Sequence, residues 1–402
     1  MAARAEILSP AGDMEKLNMA LLFGADAVYM GGKSFGMRAA AGNFTDEELK
    51  EAVKLCHQKG VKAYITCNII PGEDDLSKLA RFLEYLQEIG ADAVIITDLG
   101  VLSLAKRHAP RLPIHISTQA GVMNSETANM LYDFGASRVI LARELTLDSI
   151  ASIRAKTPKD LEIETFVHGS MCVSISGRCL LSNYLAGRDA NRGECAQPCR
   201  WKYYLMEEKR PGEYFEIFED GGTYILNSKD LCMIEHIPEL LSAGVSSFKI
   251  EGRMKSSYYT AVITNAYKKA LNAVLAGEKV PSVWIEEVYK VSHRDYYTGF
   301  YFGDGGKGQY YEDTRYIRDW EVAALVESCE PDGSAVLSQR NKVSKGDTLE
   351  LLTPDAEPVR FTMGDMEDME GNPIGSTPHP MMLYRAKLPC FAAPNSILRK
   401  EN

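Results

Sequence analysis

Four stretches decide the fold of this chain: GADAVYMGG (Gly24–Gly32), GADAVIITD (Gly90–Asp98), GASRVILARE (Gly135–Glu144) and GVSSFKIEG (Gly244–Gly252). Each opens on a glycine suited to the left-handed residue that ends a helix. An apolar run suited to a strand buried on both faces follows, and a polar residue closes it. Four further runs lack that preface: EILSPAG (Glu6–Gly12), VKAYITCN (Val61–Asn68), PIHISTQ (Pro113–Gln119) and IETFVHG (Ile163–Gly169). Together they make eight strands, and amphipathic stretches such as Glu47–Lys59 and Leu76–Ile89 fill most intervals. The class is α/β, and a TIM-like (β/α)8 barrel is the natural closure of that count; an open doubly wound sheet is the alternative.

The seventh interval breaks the rhythm. Some 60 residues separate the strand ending near Gly169 from a helix expected to begin near Asp230. The reading is therefore a barrel over 1–280 with a cysteine-rich insertion after strand 7 at about 170–228. After Gly277 come Pro281 and the aromatic-rich YYTGFYFGDGG (Tyr296–Gly306), then short alternating runs such as EVAALVES, GSAVLSQ and DTLELLTP separated by turn signals. These predict a linker over 281–320 and a small β-barrel or sandwich domain over 321–402.

The 402 residues are 45% hydrophobic and 25% charged, an ordinary globular composition. A formal net charge of −10 argues against wholesale coating of nucleic acid. It leaves room for a local basic groove, and Arg178, Arg188, Arg192, Arg200 and Lys202 outnumber Asp189 and Glu194 in the insertion. Met1–Asp13 holds no apolar stretch of signal-peptide length, and no segment approaches the roughly 20 apolar residues of a membrane helix. A soluble cytoplasmic protein with reduced thiols is expected.

Five of the nine cysteines fall between Cys172 and Cys232, in HGSMCVSISGRC (His168–Cys179), GECAQPCRW (Gly193–Trp201) and KDLCMIEH (Lys229–His236). In a reducing compartment, clustered thiols read as metal ligands before they read as disulfides. Cys172, Cys179, Cys195 or Cys199, and Cys232 can hold either zinc or an iron-sulfur cluster. Only Cys195 and Cys199 approximate a zinc knuckle, and spread ligands at a barrel mouth favour a cluster. Cys56 on a helical stretch and Cys67 in a strand read as core thiols.

The cysteine runs sit within ETFVHGSMCVSISGRCLLSNYLAGRD (from Glu164) and NRGECAQPCRWKY (from Asn191). With LSPAGD (Leu8), GGKSFGMRA (Gly31), HISTQA (His115), LNSKDLCMIEHIPEL (Leu226) and SSFKIEGRMKSSYY (Ser246), they resemble the collagenase-like peptidases of family U32, and specifically their RNA-modifying branch. The resemblance implies a barrel carrying a 4Fe-4S cluster on Cys172, Cys179, Cys195 and Cys232. It implies ring hydroxylation without molecular oxygen, at C5 of a tRNA wobble uridine with prephenate as co-substrate. Other branches hydroxylate a cytidine of ribosomal RNA or the ring of a ubiquinone precursor. Whether a paralogous partner subunit is needed stays open.

Strand ends supply the polar groups of the expected mouth: Asn68, Asp98, Ser117, Gln119, Arg143, Glu144, His168, Glu251 and Arg253. Arg143 and Arg253, with Arg38, are placed to grip a dicarboxylate, because guanidinium forks match carboxylates bidentately. Asn68 and Gln119 complete the candidate substrate-binding set. His168 and Glu251 are the candidate catalytic groups, His168 as proton carrier or as a hydrogen-bond donor to a cluster sulfur. Tyr184, Trp201, Tyr203 and Tyr204 are candidates for stacking on unpaired bases.

Other motifs fail on context. GGKS at Gly31 has Ala27 where a P-loop needs glycine, and Gly303, Gly305 and Gly308 precede no convincing helix. The rival functions are a peptidase with Cys172 as nucleophile and His168 as base, and a zinc-stabilised RNA-binding subunit.

Overall fold

The computed structural model describes residues 5–36, 42–171, 181–188, 194–198, 204–205, 209–212, 215–216, 229–303, 316–354 and 356–402. Seven parallel strands alternate with helices: β1 (Glu6–Pro10), α1 (Met14–Leu22), β2 (Ala27–Gly31), α2 (Asp46–Gln58), β3 (Lys62–Cys67), α3 (Leu76–Glu88), β4 (Ala93–Ile96), α4 (Leu99–His108), β5 (Ile114–Ile116), α5 (Ser125–Asp133), β6 (Ala136–Ile140), α6 (Leu147–Ala155) and β7 (Glu162–Ser170). The insertion contributes α7 (Leu181–Ala186) and a ribbon of β8 (Tyr204–Leu205) with β9 (Phe215–Glu216). Then come β10 (Asp230–Cys232), α8 (Ile237–Ser242), β11 (Ser247–Ile250) and α9 (Ser257–Leu275).

β11 pairs with both β1 and β7, so the eight parallel strands close into a barrel. Gly24, Gly90, Gly135 and Gly244 all take positive φ between 79° and 100° at the helix ends that precede β2, β4, β6 and β11. Asp13, Thr45, Asp98, Asn124, Thr146 and Ser256 cap the helices that follow the strands, each accepting from a backbone N–H of the first turn.

The barrel interior is ionic where an aliphatic filling is usual. Arg138 of β6 donates to Glu6 (2.6 Å) and Glu164 (2.8 Å), and Lys249 of β11 donates to Glu164 (2.8 Å). Arg138 is 1% exposed and Glu164 0%. Burial alone would push the Glu164 carboxyl up, and the cations Lys249 and Arg138 outweigh it and hold it below its usual range.

Two expectations are corrected. Asp230–Cys232 is a strand, β10, running antiparallel to the end of β7, and the helix begins only at Ile237. Within 281–320 the described residues carry α10 (Ser282–Glu287) on α9 and β12 (Tyr296–Tyr297) paired with β10, so residues 282–297 pack on the barrel. The C-terminal module comprises β13 (Trp320–Cys329), β14 (Ser334–Gln339), β15 (Thr348–Leu352), β16 (Val359–Thr362), β17 (Met366–Glu367), β18 (Pro373–Ile374), β19 (Leu383–Lys387) and β20 (Ile397–Glu401). They form one antiparallel sheet in the order β16-β15-β20-β13-β14-β19-β17-β18, whose ends approach through a Ser344–Ser376 bridge. Arg399, buried, ties it to the barrel by bonding Glu287 of α10 (2.5 Å), and it also bonds Glu350 of its own sheet (2.8 Å). A groove of about 460 Å3 on this sheet, lined by Trp320, Glu350, Arg360 and Lys400 among others, contains no sequence-predicted site residue. Among the described residues no helix is long and apolar enough to cross a membrane.

Removing Arg138 takes the guanidinium from two buried carboxylates, leaving Glu164 hydrogen-bonded to Lys249 and Glu6 to neutral hydroxyl donors. Arg138→Met should cost about 3–5 kcal/mol in chemical denaturation. A loss under about 1 kcal/mol would show that the network contributes little to the barrel.

Candidate active site at the barrel mouth and the Cys232 pocket

β7 organises the site. Its ladder with β11 pairs Lys249 with Phe166 and Ile250 with His168, leaving Val167 as an extra residue. One extra residue turns the following side chains to the opposite face. Phe166 stays inside the barrel, 3.8 Å beneath the Arg143 guanidinium. The His168 ring instead faces the helical layer, against Tyr259 and Tyr267 of α9 and Tyr296 of β12, with centroids 5.9, 5.4 and 5.1 Å away. Beyond the bulge, β7 pairs with β10 and sets Cys232 opposite His168.

The sequence-predicted residues therefore divide into two groups. Inside the mouth, Arg143 donates to Ser170 O (2.7 Å) and lies 3.8 Å from the Glu251 carboxylate. Arg253, 3% exposed, donates to Thr66 Oγ1 (3.1 Å). Asn68 donates to Gln119 Oε1 (3.1 Å), and Thr97 donates to Asn68 O (3.0 Å). Thr66 and Thr97 were missed in the sequence because a threonine near a strand end carries no signal of its own. Asp98 and Ser117 serve their own turns as caps, accepting from Val101 N and Gln119 N.

In the outer pocket, the Tyr267 hydroxyl donates to Val167 O (2.8 Å) and accepts from Met233 N (3.0 Å). It lies 3.3 Å from His168 Nδ1 and 3.8 Å from Cys232 Sγ. Tyr296 donates to Val288 O (2.8 Å) and meets His168 Nε2 at 3.3 Å. Burial, with Lys255 and His293 adding to it, holds His168 well below its ordinary value and keeps the ring neutral. Burial likewise pushes the half-buried Cys232 thiol up to about 11. Cys195 is an exposed free thiol whose sulfur accepts from Gln197 N (3.4 Å).

Arg38, Cys172, Cys179, Cys199, Arg178, Arg192, Arg200, Trp201, Lys202 and Tyr203 lie outside the described residues, as do the side chains of Tyr184 and Tyr204. Among the described residues no three potential metal ligands converge. Cys56 and Cys67 are buried, and burial pushes both thiols up to about 12.

The sequence matches the profile of Peptidase family U32 over residues 12–310 and that of the Peptidase family U32 C-terminal domain over residues 318–399. The chain belongs to peptidase family U32. It is 36% identical over 400 residues to tRNA hydroxylation protein P1 of Bacillus subtilis, covering 98% of this chain and 94% of that protein. It is 37% identical over 416 residues to tRNA hydroxylation protein P of Escherichia coli, with 93% and 91% covered. A Porphyromonas gingivalis protein named collagenase is 35% identical over 311 residues, with 74% and 73% covered. In this U32 chain the family-matched region thus contains both groups of site residues, and the second profile contains none of them.

A neutral buried histidine destabilises the fold in acid. The unfolded chain binds a proton below the ordinary value of 6.5 that the folded His168 refuses, so its contribution is complete above that pH and lost as pH falls beneath it. His168→Gln should flatten the acid-side decline in unfolding free energy by up to about 1.4 kcal/mol per pH unit. Equal slopes in the two proteins would show that the folded ring is charged.

Proposed function

We propose that this protein hydroxylates RNA without molecular oxygen, at C5 of a tRNA wobble uridine, using prephenate and a 4Fe-4S cluster held by Cys172, Cys179, Cys195 and Cys232. The reading rests on likeness over 98% and 93% of the chain to two proteins named for tRNA hydroxylation. The donor chemistry fits such a cluster: Cys195 and Cys232 are free thiols, and the Cys232 sulfur has a hydroxyl beside it. A thiol as elevated as Cys232 stays protonated until a cation binds and takes the proton's place. When bound, the cluster would supply one-electron chemistry at the head of the barrel.

The chain's own residues do the positioning. Arg143 is fixed in plane by its stack on Phe166 and its bond to Ser170, and Arg253 is fixed by Thr66. Two such guanidinium forks suit the two carboxylates of prephenate. Glu251, beside Arg143, is the carboxylate available to take a proton at the mouth. Asn68 and Gln119, linked to each other and to Thr97, offer amide groups that match the polar edge of a uracil ring. The basic, aromatic insertion would hold the tRNA strand around it.

Deleting the gene and digesting total tRNA to nucleosides tests this. Mass spectrometry should show loss of 5-hydroxyuridine and its derivatives, restored by the wild-type gene and not by Cys232→Ala or Arg143→Ala. An unchanged nucleoside profile, with peptide cleavage retained in Cys232→Ala protein, would replace the hydroxylase reading with the peptidase one.

A further inference from the structure

We infer that Tyr267 is a positioning residue for Cys232, donating an O–H···S hydrogen bond to its thiolate and thereby raising the reduction potential of the bound cluster. The inference rests on the cluster reading above and adds to it a residue outside the cysteine signature. Tyr267 lies on α9, fully buried, and its hydroxyl sits where the β7–β10 ladder ends. Four polar atoms surround that oxygen: Val167 O at 2.8 Å, Met233 N at 3.0 Å, His168 Nδ1 at 3.3 Å and Cys232 Sγ at 3.8 Å.

The hydroxyl has one proton to give. Beside a neutral thiol it goes to Val167 O. Beside a thiolate it turns to the sulfur, because a hydrogen bond to an ionised acceptor is about twice as strong as one between neutral groups. Val167 O is not abandoned in that exchange, since it also accepts from Met233 N at 3.0 Å. The same duplicated bond means that Met233 N–H keeps a partner when the hydroxyl is removed, so Tyr267→Phe preserves the ring packing and strands no backbone donor. A hydrogen bond to a ligand sulfur stabilises the more negatively charged, reduced cluster, and its loss moves the potential down.

Tyr296 supplies the control. Its hydroxyl meets the other nitrogen of His168 at 3.3 Å, and among the described residues it makes no hydrogen bond to Cys232. Wild type, Tyr267→Phe and Tyr296→Phe would be purified without air, assayed for iron and acid-labile sulfide, and titrated electrochemically. Tyr267→Phe should keep its iron while holding the electron about tenfold less tightly, a potential about 59 mV more negative for a one-electron couple. Tyr296→Phe should remain at the wild-type value. Iron present in all three proteins with an unchanged Tyr267→Phe potential overturns the role of Tyr267. Equal shifts in the two variants overturn it as well, by assigning the effect to His168. Absence of iron from wild type refutes the cluster reading itself.

Discussion

Val167 is one residue more than the β7–β11 ladder can pair, and the division of the site follows from that bulge. Without it, strict alternation would carry His168 into the barrel above Phe166, where Arg143 now lies. With it, β7 keeps Phe166 as the floor of the mouth and sends His168 outward to the tyrosines of α9 and β12. The same strand then runs on past the barrel and recruits β10, which fixes Cys232 by backbone pairing. In the proposed ligand set, otherwise drawn from a long insertion, Cys232 would be the member held by backbone pairing.

Rigidity below the mouth comes from the buried charges. Glu6, Arg138, Glu164 and Lys249 tie β1, β6, β7 and β11 together across the barrel, including the pair of strands that closes it. Such a network is costly when any one partner is missing and satisfied when all are present. It locks the register of the strands whose ends carry Arg143, Glu251 and Arg253. Interior ion pairs and mouth residues are therefore successive layers of the same strands, and the chemistry of the upper layer inherits the precision of the lower one.

The eight strands were legible because each is a short buried apolar run, four of them prefaced by a helix-ending glycine, and that local pattern is what a parallel sheet demands. The β10 strand was not legible: MIEHIPEL reads as helix onset, and pairing of Asp230–Cys232 with β7 is a contact across 60 to 64 residues. Arg138 and Lys249 interrupt apolar runs, and nothing local says that two inward charges on different strands will find Glu164 between them. Arg143, Arg253, Asn68, Gln119 and Glu251 were legible as strand-end residues. The outward turn of His168 and the part played by Tyr267 depend on a bulge and a helix contact that no single stretch encodes.

The central claim is that β10 holds Cys232 as one of the sulfurs of an iron-sulfur centre. The most direct measurement is the metal and acid-labile sulfide content, with a visible spectrum, of protein purified without air. The account predicts about four irons and four sulfides per chain, lost in Cys232→Ala. Zinc in place of iron, or no metal bound by the wild-type protein, would contradict it.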